Sequence, residues 1–224
     1  MLKASQATLA ELAPTGRLRV GVNTGNAATT TVRPDGSLDG PSVVLAQAFG
    51  QALQLPLALL AFASAGEIVA AGQEDSVWDI AFLAIDPLRA EQFHFSPPYL
   101  EIGATYAVAA GSDCRRAEDV DRPTSRIASS AGAAYDLHLQ RRLKHASRTA
   151  FLTPQASFAA FRQGGYTAVA GVRRTLEANF AGPEFRLLAD GFLTIRHAMA
   201  VSARRRRAAA LVDAFVASQV SGRG

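Results

Sequence analysis

Residues 78–89 read Trp78, Asp79, Ile80, Ala81, Phe82, Leu83, Ala84, Ile85, Asp86, Pro87, Leu88 and Arg89, and Phe95, Ser96, Pro97, Pro98 and Tyr99 follow shortly after. Ile80 to Ile85 is almost wholly apolar and short, which predicts a strand in the middle of a sheet, covered on both faces. Working backward, Leu57 to Phe62 is a second strand and Ala65 to Gly72 a short helix. Leu18, Val20 and Val22 alternate with Arg19 and Gly21, as in a first strand that ends in the polar turn Asn23 to Asn26. Pro34, Asp35 and Gly36 make a hairpin-like turn. Val43, Leu45, Ala46, Phe49 and Leu53 recur at helical spacing behind Ser42, the expected N-cap. Alternating strand, helix and strand predict an α/β sheet with parallel members.

Working forward, the cycle repeats. Thr105 to Ala110 reads as a strand and Gly111 to Pro123 as a polar connection. Arg126 to Ser129 is a strand, Ala133 to Leu143 a helix, and Phe158 to Phe161 opens another. Ala168 to Gly171 is a strand and Thr175 to Phe180 a short helix. A last strand from about Leu193 to Val201 precedes a helix from Arg204 to Val216. Two α/β cycles predict two lobes, 1–108 plus 195–224 for the first and 109–194 for the second, with two crossings that form a hinge.

The chain of 224 residues is long enough to bury a hydrophobic core, and 49% apolar with 19% charged residues is ordinary globular usage. The net charge of +4 and a pI near 9.7 favour anions. Much of that charge is one run, Arg204, Arg205, Arg206 and Arg207, which reads as a solvated helix face. No aromatic residues are interleaved with it to stack on bases, which argues against a nucleic-acid partner. Cys114 is the only cysteine, so an intrachain disulfide is excluded and the thiol is given no role. Lys3, Ser5, Gln6, Thr8 and Glu11 interrupt the apolar core that a secretory signal would need between Met1 and Pro14. No stretch approaches the roughly 18 apolar residues of a membrane span.

The stretch 78–99, with its arginine-bearing turn and its Phe-Ser-x-Pro-Tyr-like segment, resembles the type II periplasmic solute-binding proteins. Within these it is similar to the family that carries polar amino acids and related small carboxylates to ABC importers. Gly16 to Val22, Asp35 to Gly40 and Arg126 to Leu139 support the resemblance, which spans nearly the whole chain. It implies a two-lobed α/β fold with a hinge and a central cleft, a monomer that uses no cofactor or metal, the membrane subunits of an importer as partners, and a periplasmic location, whereas the missing signal core predicts a cytoplasmic protein if Met1 is the native start.

The resemblance makes Arg89 the anchor for a ligand carboxylate. A guanidinium is a rigid fork of donors that fits an acid bidentately. The turn Ser130, Ala131, Gly132 and Ala133 opens a helix, whose free backbone N–H groups make a second anion contact. Asn23, Asn26, Phe82, Leu83, Ala84, Asp86, Val172 and Arg173 complete the expected ligand set, with Phe82 and Leu83 as apolar walls and Arg173 or Arg174 as extra positive charge. Where relatives hold an amino acid's ammonium with an aspartate, this chain has Val172. Ala84 stands in place of a serine, and Ala133 or Ala134 in place of a threonine. Burying an ammonium without a counter-charge costs several kcal/mol, so the expected ligand is a carboxylate with an uncharged body. Asp86 keeps an amino acid open.

The same fold also serves sensors, interaction proteins and dehydratases of the cyclohexadienyl type. For the last of these, Glu101, His94 and His197 are the titratable candidates for a general acid. No nucleophile-base spacing, metal-ligand cluster or phosphate-cradling glycine loop stands out in the sequence, and binding without turnover is the expectation.

Overall fold

The structure is a computed structural model that describes residues 3–74 and 77–221. In chain order its elements are α1 (Gln6–Leu12), β1 (Leu18–Asn23), β2 (Thr31–Val32), β3 (Leu38–Asp39), α2 (Pro41–Leu53), β4 (Leu57–Phe62), α3 (Ala65–Ala71), β5 (Ile80–Ala84), α4 (Pro87–Ala90), β6 (Phe93–Phe95) and β7 (Leu100–Ala109). After a 3₁₀ turn at Ala117–Val120 come β8 (Arg126–Ser130), α5 (Ala134–Arg142), β9 (Ser147–Phe151), α6 (Pro154–Arg162), β10 (Ala168–Val172), α7 (Arg173–Asn179), β11 (Phe185–Leu187), β12 (Leu193–Ser202) and α8 (Arg206–Ser221). The fold is mixed α/β, as the alternation in the sequence predicts. It divides into two compact units, one of Met1–Thr24, Thr29–Glu101 and Arg196–Gly224, the other of Gly25–Ala28 and Ile102–Ile195. Met1, Leu2 and Gly222 to Gly224, which the expected first lobe included, lie outside the described residues.

In the first unit the strands run in the order β4, β1, β5, β12, with β6 also paired to β12. β1 is parallel to β4 and β5, and β12 is antiparallel to β5. All of β5 is buried, the burial that its continuous apolar run requires. Strand alternation sends its side chains into two cores. Ile80 and Phe82 join Val20, Phe49, Met199, Val201 and Phe215 on one face, and Ala81 and Leu83 join Ile68, Trp78, Phe93 and Ala200 on the other. The helix cap expected at Ser42 is Gly40 instead. Its φ of 113° and the proline at the first helical position start α2 two residues earlier. Ser42 is buried inside the helix and its hydroxyl bonds the Tyr99 hydroxyl at 2.9 Å.

The second unit has the strand order β7, β10, β8, β9, with β11 on the far side of β7. β8 is parallel to β9 and β10, and β10 is antiparallel to β7. Phe158, Phe161, Val169, Leu176 and Phe180 fill its core. The unit begins at Ile102 rather than at the expected Ala109, because β7 is longer than the sequence suggested and Ala104 to Ala107 pair with β10.

Within the arginine run Arg204, Arg206 and Arg207 are exposed, and Arg205 departs from the expected solvated face. Arg205 is 8% exposed, not solvated, and its Nη1 donates to the Leu12 carbonyl at 3.1 Å and to Asp79 at 3.0 Å. The sequence could not show this, because Asp79 and Leu12 are distant in the chain.

Candidate ligand site

The parallel strands of the first unit end together, and ligands of open α/β sheets bind outside the carboxyl ends of such strands. There β5 stops at Ala84. Asp86 caps the single turn of α4, its carboxylate accepting from Leu88 N–H at 3.0 Å, with Pro87 at the first helical position. That turn carries Arg89 back over the strand end, where its Nη1 donates to the Ala84 carbonyl at 2.9 Å. Arg89 is 3% exposed. Burial lowers its pKa to about 10, and the neighbouring Asp86 charge works in the opposite direction.

His197 lies across from Ala84 in the β5–β12 pair. It is also buried, and desolvation together with the Arg89 charge pushes its pKa down to about 3, so the ring is neutral at physiological pH. Its Nδ1 has no hydrogen-bond partner among the described residues. The sequence marked His197 only as titratable. Its place opposite the end of β5 depends on the β5–β12 register, which periodicity does not reveal.

Ala84, Asp86 and Arg89 lie together at the end of β5. Asn23 is half-buried at the end of β1. Asn26 groups with the second unit, and its side-chain oxygen accepts from Ala28 N–H at 3.2 Å. Phe82 and Leu83 are not walls of one pocket. They face opposite sides of the sheet, each inside a core cluster, and Phe82 packs edge-on to Tyr99 with centroids 5.4 Å apart.

In the second unit β8 and β10 are parallel neighbours, so the starts of α5 and α7 lie at the same sheet edge. The turn that leads into α5 is held by its own backbone bonds. Ala131 donates to the Phe151 carbonyl at 2.7 Å, Gly132 to the Asp136 carboxylate at 3.3 Å, and Ala133 to the Ser130 carbonyl at 3.1 Å. The anion at this helix start is the chain's own Asp136, itself buried and paired with Arg148. Val172 is buried as the residue before α7. The Arg173 Nη2 donates to the carbonyls of Leu188, Ala189 and Asp190 at 3.1, 2.8 and 3.2 Å, which fixes the guanidinium and leaves its charge in place.

Of the other titratable candidates, His94 Nε2 meets Asp213 at 2.9 Å and Glu101 is exposed. Among the described residues no cluster of three or more histidine, cysteine or acidic side chains could hold a metal, and no helix is long and apolar enough to cross a membrane.

No curated protein matches the chain. The structure of holo ArgBP from T. maritima superposes with a TM-score of 0.78 at 20% identity, covering 93% of this chain and 92% of that one. A binding component of an ABC transporter from Wolinella succinogenes, complexed with lysine, gives 0.78 at 20% identity and covers 94% and 92%. The ancestral amino acid-binding protein AncCDT-1, a precursor of cyclohexadienyl dehydratase, gives 0.78 at 21% identity and covers 96% and 94%. At these identities the likeness is one of fold. The model of the bacterial extracellular solute-binding proteins, family 3, matches residues 18–218, and this chain belongs to that family.

Proposed function

We propose that the chain is the substrate-binding component of an ABC importer and captures a small carboxylate whose acid group is held by Arg89. The buried guanidinium at the carboxyl end of β5 is the observation that supports this most. Its charge is disfavoured by burial, and an acid docking against its planar fork offsets that penalty through charge-assisted hydrogen bonds. Val172 and Ala84 supply no counter-charge for an ammonium, which favours acids with an uncharged body over α-amino acids.

One observation favours a second ligand class. Asp86 is 3% exposed and lies close enough to Arg89 to raise its pKa. An α-amino acid that placed its carboxylate on Arg89 could direct its ammonium to Asp86. The neighbour complexed with lysine makes this the natural competitor. We read the chain as a binder that leaves its ligand chemically unchanged, working in the periplasm beside the membrane subunits of its importer.

A thermal-shift screen over carboxylic acids and α-amino acids tests the choice. A ligand at 100 times its dissociation constant stabilises the folded state by about 2.7 kcal/mol. Acids that raise Tm and are recovered unchanged support the proposal. Amino acids that raise Tm while acids do not would select the Asp86 alternative.

A further inference from the structure

His197 is fixed at the strand end where Arg89 is anchored. Its carbonyl accepts from Tyr99 N–H at 2.9 Å, and its Cα pairs with that of Ala84, whose own carbonyl holds the Arg89 guanidinium. Cross-strand partners share a sheet face. Farther along that face Met199 and Val201 are core residues, so His197 is a polar side chain at the rim of an apolar core. It is 7% exposed, yet its Nδ1 has no partner among the described residues. Buried polar atoms are nearly always hydrogen-bonded, and one left without a partner, beside a buried cation at a sheet's carboxyl edge, points to a ligand atom as the missing partner.

The chemistry of that atom follows from the surroundings. A neutral imidazole carries one N–H and one lone pair, so it cannot balance a second carboxylate. An ammonium placed against it would sit beside the Arg89 cation, whose neighbouring carboxylate, Asp86, already offsets that cation and accepts from Leu88 N–H. A hydroxyl both donates and accepts, and it satisfies Nδ1 in either tautomer.

We propose that His197 is a specificity-determining residue whose Nδ1 hydrogen-bonds a hydroxyl on the carbon bearing the carboxylate that Arg89 holds, so that the site prefers α-hydroxy acids. This rests on the assignment of Arg89 to the carboxylate. The neutral state of the ring at physiological pH agrees with it.

Calorimetric titration with matched acids tests the proposal, using propanoate against lactate and phenylpropanoate against phenyllactate. The wild-type chain should bind the hydroxy acid of each pair about tenfold more tightly, the size of one net hydrogen bond. In His197→Leu that preference should vanish while affinity for the unsubstituted acid is kept. His197→Asn, which places an amide near the position of Nδ1, should retain most of it and covers the case in which the leucine variant does not fold. A preference that survives in His197→Leu, or a wild type that does not distinguish the pair, overturns the proposal. If Arg89→Ala weakens both members of a pair while His197→Leu changes nothing, this proposal fails and the Arg89 assignment stands. If no acid binds the wild type, both fail.

Discussion

The Asp79 carboxylate and the Arg205 guanidinium meet at 3.0 Å although 126 positions separate them in the chain. Asp79 is wholly buried and also takes hydrogen bonds from Arg19, at 2.7 Å from Nη2, 3.0 Å from Nε and 2.9 Å from the backbone N–H. One carboxylate therefore links β1 and the start of β5 to the residue preceding α8. Removing it leaves two guanidinium groups facing a buried gap, so Asp79→Ala should lower stability by about 3–5 kcal/mol. Urea denaturation measures this, and a loss below about 1 kcal/mol would show the link to be weak.

Trp78, beside it, imposes a packing limit. Its indole N–H donates to the Ile68 carbonyl at 2.9 Å, and the ring lies over Gly72, where an added Cβ would come within 2.2 Å of it. Gly72→Ala must move a ring that also packs on Phe93 with centroids 5.4 Å apart. The expected loss is about 1–3 kcal/mol by thermal or chemical melting.

His197 gives a pH dependence with a defined sign. Its folded pKa is depressed from 6.5 to about 3, by burial first and by Arg89 second, so the unfolded chain takes up its proton before the folded one. The associated stability is present above pH 6.5 and is lost as pH falls from there toward 3. His197→Asn should therefore lose less Tm than the wild type between about pH 7 and about pH 5. His138 shifts in the same direction as His197 and contributes equally to both proteins. Asp35, Asp39, Asp119 and Asp121, each held below the ordinary 3.8, lose their contributions only at lower pH, again in both proteins. Parallel pH profiles would contradict the burial of a neutral ring.

Much of the fold could be read from the sequence, because Ile80 to Ala84, Leu57 to Phe62 and Val43 to Leu53 carry strong local periodicity. β6, β9 and β11 could not. They are short, and β9 is a half-exposed strand with no regular alternation, so only their partners define them. At the site, Arg89 and Asp86 were singled out by the resemblance of the stretch 78–99 to the family, which is carried by a local motif. Other assignments went differently. Phe82 and Leu83 face two cores, and Arg205 is an interior cation. The Arg205 pair depends on a contact across 126 positions, whereas the opposite facing of Phe82 and Leu83 follows from strand alternation alone.

The central claim is that Arg89 holds a ligand carboxylate, and calorimetric titration of wild type, Arg89→Ala and Arg89→Lys with the acid giving the largest thermal shift tests it most directly. Truncation should cost about 2–5 kcal/mol of affinity, roughly 30-fold to a few thousand-fold, with the fold retained by circular dichroism. Lysine, lacking the bidentate fork, should rescue little of it. Unchanged affinity in a folded Arg89→Ala protein would contradict the claim.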